Sequence, residues 1–337
     1  MVRLIVPINQ SVVSQRYEYQ SRFQEDVEKL SSIFGWVAPI SQKVGYCTKP
    51  APVRFVWETD DKTAEFQLSA TADFEKILHR ASGCTECDVY NLEIGETFYW
   101  RVGDSEVYTF RTENLAPRWI NIDGSWNIRD AGGFRTIEGK RVKQGMILRG
   151  AAFDDDGGDS DLFQVIPEGL DVVHNRFGIR CDLDLRGAEQ ADEGSVYPKS
   201  PLGDDILYLQ IGARSYDDFF YEPDVVVKLI RVFTDRSNYP IYYHCAVGSD
   251  RTGTLAVVLD AICGLSYEDI CMNYELSSLS FPDDRRSRNY DSFQDLLKSI
   301  EKYGSNIYER VRGYLLAHGI TEEEIETIRE IMLEDAQ

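Results

Sequence analysis

The residues best suited to chemistry are Cys245 and Arg251, six positions apart in the segment 244–253, which reads HCAVGSDRTG. A guanidinium can donate in parallel to two oxygens of a phosphate group. A nearby positive charge stabilises a thiolate, and the thiolate is the reactive nucleophile. The pair is therefore suited to cleaving a phosphate monoester through a cysteinyl-phosphate that water then hydrolyses.

The flanking residues predict a strand, a tight loop and a helix. Residues 239–243 have the apolar content of a buried strand, and 254–262 that of a buried helix ended by Gly264. A helix N-terminus favours an anion, and Gly248 and Gly253 would let the backbone curl around it. We expect the following loop residues to bind the substrate phosphate: Ala246, Val247, Gly248, Ser249 and Thr252.

The pattern HCxxGxxRTG resembles the signature of cysteine-dependent protein tyrosine phosphatases. It is most similar to the atypical bacterial group, whose loop usually reads HCxAGKDRTG. Two residues depart from that pattern, Val247 and Ser249. The lysine usually found in place of Ser249 is associated with relatives that dephosphorylate phosphoinositides, so its loss favours protein phosphotyrosine and leaves inositol phosphates as an alternative. No cofactor or metal is expected, because Arg251 and the loop amides supply the positive charge that the phosphate needs.

A second segment, 127–134, reads NIRDAGGF and resembles the NFRDLGG segment of the same phosphatases. Residues 145–150 resemble the strand and turn that follow it. Arg129 and Asp130 have two interpretations at this point. They form an ion pair that fixes the loop, or they line the site and bind substrate.

The leaving alkoxide or phenolate needs a general acid. Asp250 lies beside Arg251 in the loop, and the resemblance implies that an aspartate at this position supplies the proton. Asp217 or Asp218, after a predicted strand at 206–211, is the alternative. We favour Asp250 and leave the choice open.

Composition limits the classes of partner. The chain has 337 residues and a net charge of −21, which disfavours nucleic acid and anionic membranes as partners. No apolar run reaches the length of about 20 residues that spans a bilayer. Cys84 and Cys87 have the spacing of a zinc half-site or a redox pair, but no second Cys/His pair lies nearby, so two reduced thiols are the favoured interpretation. Seven cysteines and a thiolate nucleophile predict a reducing cytoplasm, although a secreted form with its signal peptide removed stays open.

The chain divides into two predicted domains, 1–115 and 116–337. The first has short alternating segments at 53–57, 64–68, 97–102 and 107–112, which predict an antiparallel all-β sandwich. Their order resembles a fibronectin type III-like domain, and we expect Trp57 and Trp100 in its core. A contact with another protein is a role open to this domain.

The second domain alternates predicted strands with helices, one of them at 224–233. This order predicts an α/β fold with a mostly parallel sheet flanked by helices, the fold that the phosphatase resemblance also implies. The basic residues Arg285, Arg286 and Arg288 are expected in a solvated loop, and a rim that attracts phosphorylated substrate is the alternative. We predict a protein tyrosine phosphatase acting on a phosphotyrosine protein or a small phosphorylated substrate; an inactive phosphoprotein-binding module is the alternative from another class.

Overall fold

The computed structural model describes residues 2–25, 46–153, 165–187, 199–280, 285, 287 and 291–336. Arg286 and Arg288 lie outside these residues. Within them, no helix is both long enough and apolar enough to cross a membrane.

The first part of the chain consists mainly of short strands. Its elements are β1 (Val2–Val6), β2 (Ser11–Val13), α1 (Glu18–Glu25), β3 (Val53–Thr59), β4 (Phe66–Ser69), β5 (Ile77–Ala81), β6 (Glu86–Val89), β7 (Thr97–Val102) and β8 (Tyr108–Thr112). They form two sheets, with strand orders β1-β3-β6 and β2-β8-β7-β4-β5. Every pairing is antiparallel except that of β2 with β8, which is parallel and departs from the expected all-antiparallel arrangement.

Aromatic side chains from both sheets form the core of this part. Trp57 and Trp100 are 1% and 0% exposed, which confirms their predicted place in the core. Trp57 stacks on Phe66 with ring centroids 5.2 Å apart, and Phe55 meets Trp100 edge-on at 5.3 Å. Because β3 belongs to one sheet and β4 and β7 to the other, these contacts hold the two sheets together.

The second part alternates strands and helices. Its elements are β9 (Arg129–Asp130), β10 (Lys140–Val142), β11 (Ile147–Gly150), α2 (Pro167–Asp171), β12 (Cys181–Asp184), β13 (Leu207–Gln210), α3 (Asp217–Phe220), α4 (Pro223–Val232), β14 (Ile241–His244), α5 (Asp250–Cys263), α6 (Tyr267–Glu275), α7 (Asp291–Ser299), α8 (Ile307–Ala317), α9 (Glu322–Met332) and β15 (Leu333–Asp335). A π-helical segment, Val172–Phe177, follows α2.

The main sheet of this part has the order β13-β12-β14-β11-β9. Strand β14 is central and pairs in parallel with both β12 and β11, while only β9 runs antiparallel. The predicted mostly parallel sheet is therefore confirmed. The carboxyl end of β14 opens between its two neighbours, which is where parallel α/β sheets place their ligands.

Helix α5 begins earlier than the sequence predicts. It starts at Asp250 rather than at residue 254, so Arg251 and Thr252 lie in its first turn and not in the loop. Gly253 is helical and provides no backbone curl. The predicted end is confirmed, since Gly264 follows the helix in the left-handed conformation with φ 79°.

Reciprocal hydrogen bonds join the two parts of the chain. The side chain of Asn91 donates to the carbonyl of Asn121 at 2.8 Å and accepts from its amide at 2.7 Å. The side chain of Gln144 does the same with the backbone of Ile94, at 3.0 and 2.9 Å. Paired contacts of this kind fix both the distance and the orientation of the two surfaces.

Candidate functional site

The loop after β14 has its carbonyl groups tied to the protein behind it. Ala246 O accepts from the amide of Ala152 at 3.0 Å, and Asn127 Nδ2 donates to Val247 O at 3.3 Å and to Gly248 O at 3.1 Å. In a trans peptide the N–H points opposite to the carbonyl. The amides of residues 247–249 therefore face away from these contacts and form the concave side of the loop.

Gly248 is the residue that this curl requires. Its φ is 71°, and a Cβ built on it would lie 2.5 Å from Gly150 O and 2.7 Å from Ala151 N. The loop thus packs directly on the carboxyl end of β11. The predicted role of Gly248 in bending the backbone is confirmed.

Two buried side chains behind the loop were not identified from the sequence as functional. Asn127 is 0% exposed and has a φ of 55°, a conformation that asparagine tolerates better than most residues. Arg149 is 1% exposed, and its Nη2 donates to Gly248 O at 3.4 Å. Both belong to segments that resemble the phosphatases, but their sequence context gave no sign that their side chains bind loop carbonyls.

Cys245 follows β14 and is 1% exposed. Burial opposes the charged form of its thiol, but the Arg251 charge and hydrogen bonds from the Thr252 hydroxyl and amide favour it, so the pKa is lowered below its ordinary value. The Thr252 hydroxyl has no oxygen or nitrogen partner among the described residues. The sulfur therefore lies where a thiolate is stabilised, with Arg251 and Thr252 brought to it by the first turn of α5.

The other buried cysteines show the opposite effect. Burial and nearby carboxylates raise the pKa values of Cys181 and Cys263 to about 12. Neither lies beside Arg251 or the first turn of α5. The local charges at Cys245, rather than burial in general, account for its acidity.

His244 stabilises the loop from beneath. Its Nδ1 bonds to Cys245 O at 3.1 Å, and its Nε2 lies 3.1 Å from a carboxylate oxygen of Asp182. Burial alone would lower the pKa of His244, but the charges of Asp184 and Asp182 outweigh it and raise the value to about 9. The imidazolium, carrying N–H on both nitrogens, donates to the Cys245 carbonyl, which supports a role in orienting the backbone rather than acting as a base.

Asp250 is held by two partners. Its Oδ1 accepts from Tyr216 Oη at 2.5 Å and from Arg285 Nη1 in an ion pair. Tyr216 also accepts from Tyr274 Oη at 3.1 Å and has a φ of 59°, which is unusual for an aromatic residue. The expectation that Arg285 lies in a solvated loop is wrong, because it is 8% exposed and paired with Asp250.

The alternative acids lie close to this cluster in sequence. Asp217 and Asp218 form the first turn of α3, directly after Tyr216. Asp217 is half-buried and Asp218 is exposed. Of residues 216–218, only Tyr216 has a hydrogen bond to Asp250 among the described contacts. Asp250 itself belongs to the first turn of α5, next to Arg251, whereas Asp217 and Asp218 belong to α3.

The expected ion pair between Arg129 and Asp130 is not formed. Arg129 is 0% exposed and donates to Asn273 O and Ser277 Oγ, both at 2.9 Å. Asp130 instead binds Arg118 at 2.6 Å with both side chains buried. Successive residues of a strand point to opposite faces, so the two side chains could not meet. Their interpretation as substrate-binding residues is corrected, since both are committed to internal contacts.

The segment before β3 also reaches the site. The amide of Asn127 donates to Thr48 Oγ1 at 2.9 Å, and Thr48 is 1% exposed. A small apolar cluster surrounds this contact; it comprises Phe23, Cys47, Trp119, Leu276 and Leu279. Residues from the first part of the chain thus support the asparagine that binds the loop.

Within the described residues, no group of three or more histidine, cysteine, aspartate or glutamate side chains is arranged to hold a metal ion.

Comparison with known proteins places residues 120–334 within a family model described as the tyrosine phosphatase family. A curated protein of Cupriavidus necator, named "Putative tyrosine-protein phosphatase", is 27% identical over 176 residues. The match covers 46% of this chain and 61% of the curated protein.

Solved structures give weaker likenesses. The core catalytic domain of the PP-IP phosphatase Siw14 from S. cerevisiae, in complex with citrate, is 20% identical with a TM-score of 0.31 and covers 48% of this chain and 90% of that one. A P. aeruginosa TpbA variant in complex with pTyr is 15% identical with a TM-score of 0.29 and covers 53% of this chain and 90% of that one.

Proposed function

The chain belongs to the tyrosine phosphatase family, and we propose that it is a cysteine-dependent phosphomonoesterase that acts on protein phosphotyrosine. The observation that carries the proposal is the lowered pKa of Cys245 beside Arg251 and Thr252. A thiolate at the base of a ring of outward-facing amides is the arrangement that captures a phosphoryl group. A module that only bound phosphoproteins would have no need of an acidic thiol.

The amides of Ala246, Val247, Gly248 and Ser249 would hold the non-bridging oxygens in this mechanism, together with the Arg251 guanidinium. Cys245 attacks phosphorus in line with the leaving oxygen and forms a cysteinyl-phosphate. Thr252 then stabilises the departing thiolate as water attacks the intermediate. Charge stabilisation by Arg251 and by fixed amides supplies the electrostatic part of catalysis without a metal.

Asp250 is the proposed general acid. It is the residue before Arg251, and its side chain is 36% exposed, so it can meet a leaving oxygen at the surface of the site. Its Oδ1 is held by Tyr216 and by the ion pair with Arg285. Substrate binding must therefore loosen this pair before Asp250 acts.

Phosphotyrosine is favoured over inositol phosphates by Ser249. Its side chain is 0% exposed, and its hydroxyl lies 3.4 Å from both Asn127 Nδ2 and Ser280 Oγ. It supplies no charge to a substrate, whereas a heavily phosphorylated inositol requires several cations. Phosphotyrosine, with a single phosphate group, requires fewer cations.

The experiment compares wild type with Cys245→Ser on phosphotyrosine peptides, phosphoserine peptides, phosphoinositides and inositol hexakisphosphate. We expect turnover of the phosphotyrosine peptides only, unaffected by EDTA and lost in Cys245→Ser. The matched control is Cys263→Ser, which removes a buried thiol outside the site and should leave turnover unchanged. Full activity in Cys245→Ser would refute the mechanism, and a preference for inositol hexakisphosphate would refute the substrate.

For the first part of the chain, we propose a fibronectin type III-like module spanning residues 1–115, followed by the catalytic domain over 116–337. The two aromatic-cored sheets support this division. We also propose a reducing, cytoplasmic location, because a thiolate nucleophile and six further unpaired cysteines are stable there. A protein contact through the module belongs to the same proposal.

A further inference from the structure

A cleft of about 230 Å³ lies between the two parts of the chain. Its walls come from the β4–β5 turn and β7 on one side, and from the π-helical segment Val172–Phe177 and the residues around Gly145 on the other. The side chains that matter here are Lys76, Glu93, Phe98, Arg118, Arg176 and Phe177. π-Helical turns are rare and are frequently found at functional sites.

Two guanidinium groups converge in this cleft on one carbonyl oxygen. Arg118 Nη1 donates to Asn91 O at 3.3 Å, and Arg176 Nη2 donates to the same atom at 2.9 Å. Like charges brought this close repel each other unless an anion lies between or beside them. Burial first and the Arg118 charge second lower the pKa of Arg176, whereas Glu93 acts in the opposite direction.

Part of the hydrogen-bonding capacity of these two guanidinium groups is unused. Arg118 is 3% exposed and binds Asp130, but its Nε has no hydrogen-bond partner in the described residues. Arg176 forms no ion pair within the part of the chain that the structure describes, and its only side-chain hydrogen bond there is the one to Asn91. A half-buried guanidinium without a carboxylate partner, such as that of Arg176, favours an anionic ligand.

The charge of the whole molecule makes this cluster unusual. The chain carries 57 acidic and 36 basic residues, yet three basic side chains line the cleft beside a single acidic one, Glu93. The carboxylate of Asp130, behind Arg118, leaves the group with a small positive excess. A local positive field in a strongly acidic protein concentrates anions there.

Apolar residues line the rest of the cleft and indicate the chemistry of the other part of the ligand. Phe98 is 2% exposed, and the Arg118 guanidinium lies 5.5 Å from the centre of the Phe177 ring. Leu78 and Ala70 extend this surface. Rings and methyl groups next to cations suit a molecule with an apolar body and a charged end.

We propose that this cleft binds a small anion, a phosphonate, phosphate or carboxylate, that carries an aromatic ring. The site is separate from the catalytic loop. Gly145, in the cleft, precedes the first residue of β11, whereas the catalytic loop packs on Gly150 at the other end of that strand. A ligand here would join the two parts of the chain and stabilise their interface.

The test uses the full chain and phenylphosphonate. This compound has a P–C bond in place of the ester P–O bond, so a phosphatase does not hydrolyse it. Binding is measured by calorimetry in wild type, Arg176→Gln, Arg251→Gln and Arg180→Gln. Arg180 is exposed and close in sequence to Arg176, so it is the matched control for the loss of one charge. Methylphosphonate, titrated in parallel, tests the apolar walls, and benzoate tests whether a carboxylate suffices.

We expect a binding component that survives in Arg251→Gln, weakens at least tenfold in Arg176→Gln and stays within twofold in Arg180→Gln. Phenylphosphonate should bind at least tenfold more tightly than methylphosphonate, and its addition should raise the melting temperature. The proposal is overturned if Arg176→Gln and Arg180→Gln bind alike, if all binding disappears in Arg251→Gln, or if the methyl compound binds as well. Because the readout is binding and not turnover, failure of the proposed catalytic function would leave these outcomes unaffected.

Discussion

Replacing Gly248 with alanine should displace the loop and slow catalysis about a hundredfold. The added Cβ would lie 2.4 Å from the carbonyl carbon of Gly150, whereas ordinary contact begins at 3.4 Å, so the loop must move by about 1 Å. A misplacement of about 1 Å in a catalytic group can cost roughly 100-fold in rate. The φ of 71° adds about 1–2 kcal/mol of backbone strain in the folded state.

Gly139→Ala separates these two effects. Gly139 has a similar φ of 85°, and a Cβ there meets no atom within 4 Å. This variant should lose about 1–2 kcal/mol of unfolding free energy from backbone strain and keep the wild-type kcat/KM. The difference between the two variants therefore measures the steric displacement of the loop.

The assay is kcat/KM with a phosphotyrosine peptide, corrected for the folded fraction from a thermal melt. The reasoning is refuted if folded Gly248→Ala retains kcat/KM within threefold of wild type. It is also refuted if Gly139→Ala loses activity equally, because strain alone would then explain both results.

Four further predictions concern the support of the site. Asp250→Asn should lower kcat/KM about 10²–10⁴-fold for phenyl phosphate and far less for p-nitrophenyl phosphate, whose leaving group needs no proton. Equal losses for the two substrates would reject Asp250 as the general acid. Asp218→Asn is the control, and an equal effect in that variant would also reject Asp250. The pKa of His244, raised to about 9 from an ordinary 6.5, contributes stability that is fully present below pH 6.5 and is lost as pH rises through 9. The melting temperature of His244→Gln, measured against pH, should lack this decline. A decline equal to that of wild type would refute the role of His244. Thr48→Val should lower kcat/KM about tenfold and cost about 1–3 kcal/mol of unfolding free energy, because it leaves the buried Asn127 amide without its acceptor. Unchanged kinetics in the folded variant would show that the contact is dispensable for the loop. Asp130→Asn should cost about 3–5 kcal/mol of unfolding free energy by leaving Arg118 buried without its partner, while a direct role in substrate binding would appear instead as a raised KM at unchanged stability.

The catalytic loop could be predicted from sequence because its chemistry lies in ten consecutive residues. Cys245, Gly248 and Arg251 needed only local reasoning about a strand, a turn and a helix. The start of α5 was misplaced because Ser249 and Gly253 are both common in loops. In the structure Ser249 precedes the helix and Gly253 lies within it, close to the side chains of Arg149 and Tyr274. No local pattern contains these tertiary neighbours.

The residues that support the loop could not be predicted in the same way. Asn127 and Arg149 lie about a hundred residues before the carbonyls that they bind. Arg285 was expected in solvent because its neighbours are polar, yet its partner Asp250 lies 35 residues earlier. Charge patterns in sequence identify ionic residues, but the choice of partner depends on which elements the fold brings together.

The sheet order of the first part was also beyond local reasoning. Strands β5 and β6 carry mixed side chains, with little of the alternation that identifies β3 and β7. Strand β2, three residues long, pairs in parallel with β8 from nearly a hundred residues away. Pairings of such short strands are fixed by their surroundings rather than by their own composition.

The contact between Thr48 and Asn127 has a consequence for protein engineering. A catalytic fragment cut at residue 116 would lack the hydroxyl that anchors Asn127, and a chimera with a foreign sandwich would lack it too. Grafting the proposed catalytic domain onto another scaffold would therefore require transferring the segment 46–50 along with it. The two parts of the chain therefore have to be exchanged together.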